Sequence, residues 1–168
     1  MKNQTAASAG DHRVVEDFEA FFERLHPRLY RMAYLLTGNR ADAADIAQET
    51  MARVLERWDR VRRMDSPDGY ACRIAMHLNH RRVRGLRLAS RSLSWPPDRE
   101  PAVEERSDVM RTLLALPKGQ REALVLVEWY GLSAAQAGKA LGIAPGSVRS
   151  RLSRGREAFR HLIGEGYG

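Results

Sequence analysis

Apolar residues recur at intervals of three and four along almost the whole chain, and almost no segment alternates with period two. Phe18, Phe22, Leu25, Leu29, Met32 and Leu36 form one such stripe, which predicts a helix over Val15 to Thr37. Pro27 lies inside it, where a missing N–H and a bulky ring predict a kink or a division. Gly38 and Asn39 then punctuate the pattern, with Asn39 placed to cap the next helix. That helix carries Ala44, Ala47, Met51, Val54, Trp58 and Val61 on its expected inner face. A short loop leads to Ser66 and Pro67, a cap followed by the residue best suited to the first helical position. The third helix is expected from Pro67 to about Leu88, with Tyr70, Ile74 and Leu78 inward.

The pattern then breaks. "SLSWPPDREPAVEERSD", Ser92 to Asp108, holds three prolines and five acidic residues against two arginines, the marks of a linker. Beyond it four further helices are expected, over Val109–Leu116, Lys118–Tyr130, Ser133–Leu141 and Pro145–Ile163. The fold class is therefore all-α: two small helical domains, 15–90 and 109–163, joined by a flexible acidic linker at 91–108. Tails at 1–14 (disordered) and 164–168 flank them.

The last two helices have a particular form. Leu132, Ala137, Leu141 and Ile143 give the first an apolar side; Ala137 and Gly138 are small enough for close approach. Gly142 suits a left-handed helix end. Pro145 opens the second, whose inner stripe is Val148, Leu152, Phe159 and Leu162. Ser147, Arg149, Ser150, Arg151 and Arg154 are left outward. A short helix, a tight turn and a second helix with a free basic face describe a helix-turn-helix, whose second helix enters the DNA major groove. There Arg pairs with guanine, and serine bonds bases or phosphates.

Charge supports a polyanionic partner. The 168-residue chain carries a net charge of +7, and of its 28 basic residues only Lys2, Lys118 and Lys139 are lysines. The arginines cluster. Six lie between Tyr70 and Trp95 with no acidic residue among them, and five lie between Ala144 and Ile163 against one glutamate. Each domain thus ends in a basic helix, which suggests two nucleic-acid contacts. The single cysteine, Cys72, excludes an internal disulfide. The histidines show no metal spacing, and no grouping suggests an enzyme. The longest apolar run, Ala123 to Val127, is too short for a bilayer, and the N-terminus lacks the apolar core of a secretory signal. A cytoplasmic protein is expected.

These residues resemble a known family. "LLALPKGQREALVLVEWYGLSAAQAGKALGIAPGSVRSRLSRGREAFRHL" is similar to region 4 of the extracytoplasmic-function (group 4) sigma factors of bacterial RNA polymerase. "LYRMAYLLTGNRADAADIAQETMARVLERW" and "MDSPDGYACRIAMHLNHRRVR" resemble region 2 of the same family, in phrasing like an actinobacterial subgroup. The resemblance implies a subunit that binds core RNA polymerase, directs initiation at promoters and assists their melting. It implies no cofactor and no catalytic residue. Asp42, Asp45, Gln48 and Glu49 would contact the β′ clamp. Arg62, Arg63, His77, Asn79, Arg81, Arg82 and Arg84 would serve the −10 element. Ser147, Arg149, Ser150, Arg151 and Arg154 would read the −35 element, with Arg121 on a phosphate and region 4 near the β flap. An anti-sigma factor is a further implied partner.

The sequence departs from the family pattern at four places. Ala44 stands where Glu is frequent, His77 where Asn is, Gln136 where Glu is usual, and Ala144 where a polar cap is frequent. A stand-alone helix-turn-helix regulator, its first half an effector or dimerisation domain, is the alternative reading of the same residues.

Overall fold

The computed structural model describes residues 16–92 and 107–165, with side chains for 16–86 and 107–164. Residues 93–106 of the linker expected at 91–108, the 1–14 tail and the last three residues lie outside them, while the first two and last two residues of the expected linker are described. Eight α-helices account for the described chain: α1 Phe18–Thr37, α2 Arg40–Leu55, α3 Trp58–Val61, α4 Pro67–Ser92, α5 Asp108–Ala115, α6 Lys118–Leu124, α7 Ala134–Leu141 and α8 Pro145–Glu165. A π-helical turn, Val125–Trp129, extends α6. The described residues contain no strand.

Local chemistry explains the helix starts. Asp17 accepts from the Ala20 N–H at 2.8 Å, Asn39 from Asp42 at 2.8 Å, Ser66 from Gly69 at 3.1 Å and Ser107 from Met110 at 3.3 Å. Each satisfies a donor that the helix itself cannot, and each contributes about 1 kcal/mol. α1 runs unbroken through Pro27, so of the expected kink or division the division does not occur. Pro27 is on the exposed side, so water can serve the carbonyl that loses its partner.

Phe21, Leu25, Leu29, Met32, Ala33 and Leu36 of α1 are buried, and each large side chain so removed from water contributes roughly 1.5–3 kcal/mol. They meet Ala43, Ile46, Ala47, Thr50, Met51 and Val54 of α2. Ala47, Met51 and Val54 are buried as expected, whereas Ala44 is exposed and Ala43 takes its place in the buried stripe. Trp58 packs edge-on to Phe18 at 5.5 Å and beside Phe21 at 4.9 Å, closing the end of this half. Leu162, expected inside, is 36% exposed, because Gly155 and Ala158 rather than the last turn of α8 make the close contact. The span expected as a C-terminal tail from residue 164 begins inside α8, which reaches Glu165.

The two helical halves do not stand apart. α7 packs along α4, and α5 and the π turn pack on α1. One continuous set of buried residues runs from Phe21 to Leu152 through both halves.

Candidate nucleic-acid interface

α7 and α8 form the helix-turn-helix, and its turn is tightly specified. Ser133 Oγ accepts from the Gln136 N–H at 3.1 Å while Gln136 Oε1 accepts from the Ser133 N–H at 2.8 Å, a reciprocal capping box. Gln136 therefore keeps the acceptor that a glutamate would supply at this place. Gly142 takes φ 70°, the left-handed region, and its N–H donates to the Gly138 carbonyl. Gly138 has no room for a side chain: a Cβ there would lie 2.7 Å from the Ile143 carbonyl oxygen. After Ala144, which offers no side-chain cap, the N–H groups of Ser147 and Val148 reach back to its carbonyl at 3.0 and 3.2 Å.

Val148 and Leu152 are buried under α6 and α7, which turns Ser147, Arg149, Ser150 and Arg154 outward and leaves them exposed. Arg154 donates to Ser150 Oγ at 3.2 Å and is held beside it. Arg151 differs. It is half-buried, and its guanidinium lies over Gly119 of α6, where an added Cβ would meet it at 3.2 Å. Arg121 differs further. It is half-buried, its Nη1 donates to the Leu114 carbonyl at 3.2 Å, and its Nε is buried without a partner. Burial pulls its pKa below the ordinary guanidinium range, with Glu122 opposing that shift. A side chain so engaged holds α5 to α6 rather than lying open on the surface.

On α4, His77, Arg81 and Arg84 are exposed and share one face. Arg73, spaced four residues before His77, completes that stripe with its guanidinium 5.9 Å from the Tyr70 ring centre. The spacing of four, four and three among Arg73, His77, Arg81 and Arg84 was the signal that could have added it to the expected set. Arg62 pairs with Asp59 at 3.1 Å, and Arg63 is exposed in the connection to α4. The remaining two residues of the set are turned elsewhere. Asn79 is 4% exposed with its Oδ1 buried and unpartnered, and Arg82 bonds Asp42 and lies 3.6 Å from Asp45.

That last contact joins two residue sets that the sequence kept apart. Asp45, Gln48 and Glu49 are exposed on α2 and Asp42 is half-buried. Arg82 already engages both aspartates, while Glu49 holds Arg53 at 2.6 Å. The α2 face is thus an acidic and amide stripe partly neutralised from within. The described residues hold no group of three or more His, Cys, Asp or Glu side chains that could bind a metal ion. No described helix is long and apolar enough to cross a membrane.

Comparison with known proteins agrees with this geometry. A family model described as Sigma-70 region 2 matches residues 21–88, and one described as Sigma-70, region 4 matches residues 106–159. The chain is 32% identical to the ECF RNA polymerase sigma factor SigE of Mycolicibacterium smegmatis, over 93% of this chain and 65% of that protein. It is also 32% identical to SigM of Mycobacterium tuberculosis, over 88% of this chain and 77% of the relative. The chain therefore spans just under two thirds of SigE and about three quarters of SigM. Among solved structures, the sigma factor RpoE of Bartonella quintana, in complex with the anti-sigma factor NepR, superposes with a TM-score of 0.72 at 25% identity, covering 89% of this chain and 98% of that one. CnrH, solved with the cytosolic domain of CnrY, shares the fold with a TM-score of 0.63 at 23% identity, over 94% and 92% of the two chains. With both regions matched in order over most of its length, the chain belongs to the extracytoplasmic-function sigma factors of RNA polymerase.

Proposed function

We propose that this chain binds core RNA polymerase, carries it to promoters with −10 and −35 elements, and assists their melting, without catalysis of its own. The observation that supports this most strongly is the pair of exposed arginine-bearing surfaces, one on each matched region. Arg73, His77, Arg81 and Arg84 line one face of α4, and Arg149, Ser150 and Arg154 lie at the start of α8. In this reading residues 15–90 dock on the β′ clamp through Asp45, Gln48 and Glu49 and engage the −10 element through the α4 stripe with Arg62 and Arg63. Asn79 serves that element only after its surroundings move. Residues 109–163 read the −35 element by the direct pairing of Arg with guanine edges and lie near the β flap.

Arg82 and Asp42 act in this reading as a brace between α2 and α4. Arg121 supports the fold of the second half. The protein works in the cytoplasm, where polymerase is. An anti-sigma factor is a fitting partner, since RpoE, with a similar fold, was captured with one. Co-elution with core polymerase tests the docking. Wild type should co-elute, and Asp45→Arg with Glu49→Arg should weaken it at least tenfold. Equal retention of wild type and variant by core would contradict the α2 assignment.

A further inference from the structure

The arginines of α8 are not equivalent, and the difference bears on how a −35 element is read; the inference rests on the promoter reading above. Successive residues of a helix stand about 100° apart, so Arg149 and Arg151 project about 160° from one another. Arg151 is half-buried and lies over Gly119 of α6, which takes it out of the outward face. Arg149, Ser150 and Arg154 remain exposed.

Arg154 is held at two points by a single residue. Its Nε donates to the Ser150 carbonyl at 3.4 Å and its Nη2 to Ser150 Oγ at 3.2 Å. The backbone contact alone is not distinctive, since Arg160 Nε makes the same one to the Arg156 carbonyl at 3.2 Å. The hydroxyl supplies the second point, and two points on one edge fix the plane of a guanidinium. Nε and Nη2 share that edge. The adjoining edge, between Nη1 and Nη2, is left clear of Ser150 and keeps the forked pair of donors that matches O6 and N7 of guanine.

Both anchors are neutral. A carboxylate in the place of Ser150 would orient Arg154 too, but it would cancel the charge that draws the side chain to DNA. A hydroxyl orients without neutralising. An arginine already ordered in the free chain also loses less side-chain freedom on binding than one that is not.

We propose that Ser150 is a positioning residue for the −35 element: its hydroxyl aims the outer edge of Arg154 at a guanine, rather than bonding a base or phosphate itself. Outward spacing alone would give Ser150 a direct contact with DNA. Ser150→Ala should therefore reproduce part of the loss caused by Arg154→Ala, at the same base pair. Ser150→Thr, which keeps the hydroxyl, should not.

Two measurements test this. The first is the NMR order parameter of the Arg154 Nε–H in the free chain, which involves neither DNA nor polymerase. It should be high in wild type and in Ser150→Thr, and fall in Ser150→Ala to the level of Arg160. A value unchanged by Ser150→Ala overturns the positioning. The second is transcription by the holoenzyme from a promoter fragment that it selects, with each base pair of the −35 element replaced in turn. Arg154→Ala should reduce discrimination roughly 10-fold or more at one base pair. Ser150→Ala should reduce it about 3- to 10-fold at that same pair. The double variant should lose no more than Arg154→Ala, and Ser150→Thr should discriminate as wild type does. A loss at a different base pair, an equal loss on every template, or losses that add in the double variant overturn the proposal, because a direct contact or a general disturbance of α8 gives those results. A wild type without −35 dependence refutes the promoter reading, while the order parameters still decide whether Ser150 holds Arg154.

Discussion

One substitution, made at two glycines, should shift stability in opposite directions. Gly85 lies in the exposed part of α4, and a Cβ there would meet nothing within 4 Å. Alanine loses less backbone entropy than glycine in a helix, so Gly85→Ala should stabilise by about 0.8–1 kcal/mol. Gly138 lies in α7 and gains the same helical preference from alanine. Its Cβ, however, would stand 2.7 Å from the Ile143 carbonyl oxygen and 3.5 Å from the Pro145 nitrogen. An ordinary carbon–oxygen contact is roughly 3.3–3.6 Å, so the turn must move by about 0.6 Å or more. The clashing atom belongs to the backbone, and the Gly138 carbonyl also receives the N–H groups of Gly142 and Ile143. Neither can yield cheaply. Overpacking costs of roughly 1–3 kcal/mol then exceed the propensity gain, leaving Gly138→Ala less stable by about 1–2 kcal/mol. At roughly 2–4 °C per kcal/mol for a chain of this size, the two variants should melt about 5–10 °C apart. Thermal unfolding followed by far-ultraviolet circular dichroism measures this. A Gly138→Ala variant melting at or above wild type would refute the close-approach reasoning.

Other expectations follow from single contacts. Ser133→Ala removes one arm of the capping box and should cost about 1 kcal/mol, whereas Gln136→Glu keeps the acceptor, adds favourable charge at a helix start and should gain roughly 0.3–1 kcal/mol; urea midpoints decide both. Arg149→Ala should lower −35-dependent transcription by about 10-fold or more, as the loss of a base contact of roughly 1–3 kcal/mol implies, while Arg121→Lys should instead lower the melting temperature. Burial pushes the Cys72 thiol up to about 12. Its stabilising contribution is therefore fully present below the unfolded thiol's range and is lost as pH rises from about 9 toward 12. A thiol reagent at pH 8 should label Cys72 only as fast as the chain unfolds, and rapid native labelling would contradict its burial.

Much of the helical plan was legible because it is written in local chemistry. Asn39, Ser66 and Gly142 are punctuation whose meaning needs no tertiary context, and the structure gives each its expected role. On the α2 face only Ala44 was misplaced, because alanines mark both sides of that helix and only packing against α1 separates Ala43 from Ala44. Pro27 does not divide α1 because a proline that points to water disrupts less than one that faces a neighbour.

The exposure of the candidate residues was legible where it depends on outward spacing, as at Arg149, Ser150 and the His77–Arg81–Arg84 stripe. It was not legible where a polar side chain is turned inward. Asn79 and Arg121, expected on the −10 element and on a phosphate, are instead respectively buried outright and bonded to a carbonyl seven positions away, and the pairs His80–Glu122 and Arg28–Tyr130 join residues 42 and 102 positions apart. The packing of α7 along α4, and of α5 and the π turn on α1, had no signal in the sequence, since each half displays the amphipathic pattern of a domain that could stand alone.

The central claim, promoter-directed initiation, is tested most directly by transcription in vitro with purified chain and core polymerase. The templates are genomic promoter fragments selected by that holoenzyme, each also prepared with its −10 or its −35 element scrambled. The account predicts a discrete transcript from the intact template, lost with either scrambled element and lost from the intact template with the Arg81→Ala plus Arg149→Ala variant. A chain that gives no transcript above core polymerase alone, or equal transcripts from intact and scrambled templates, contradicts it.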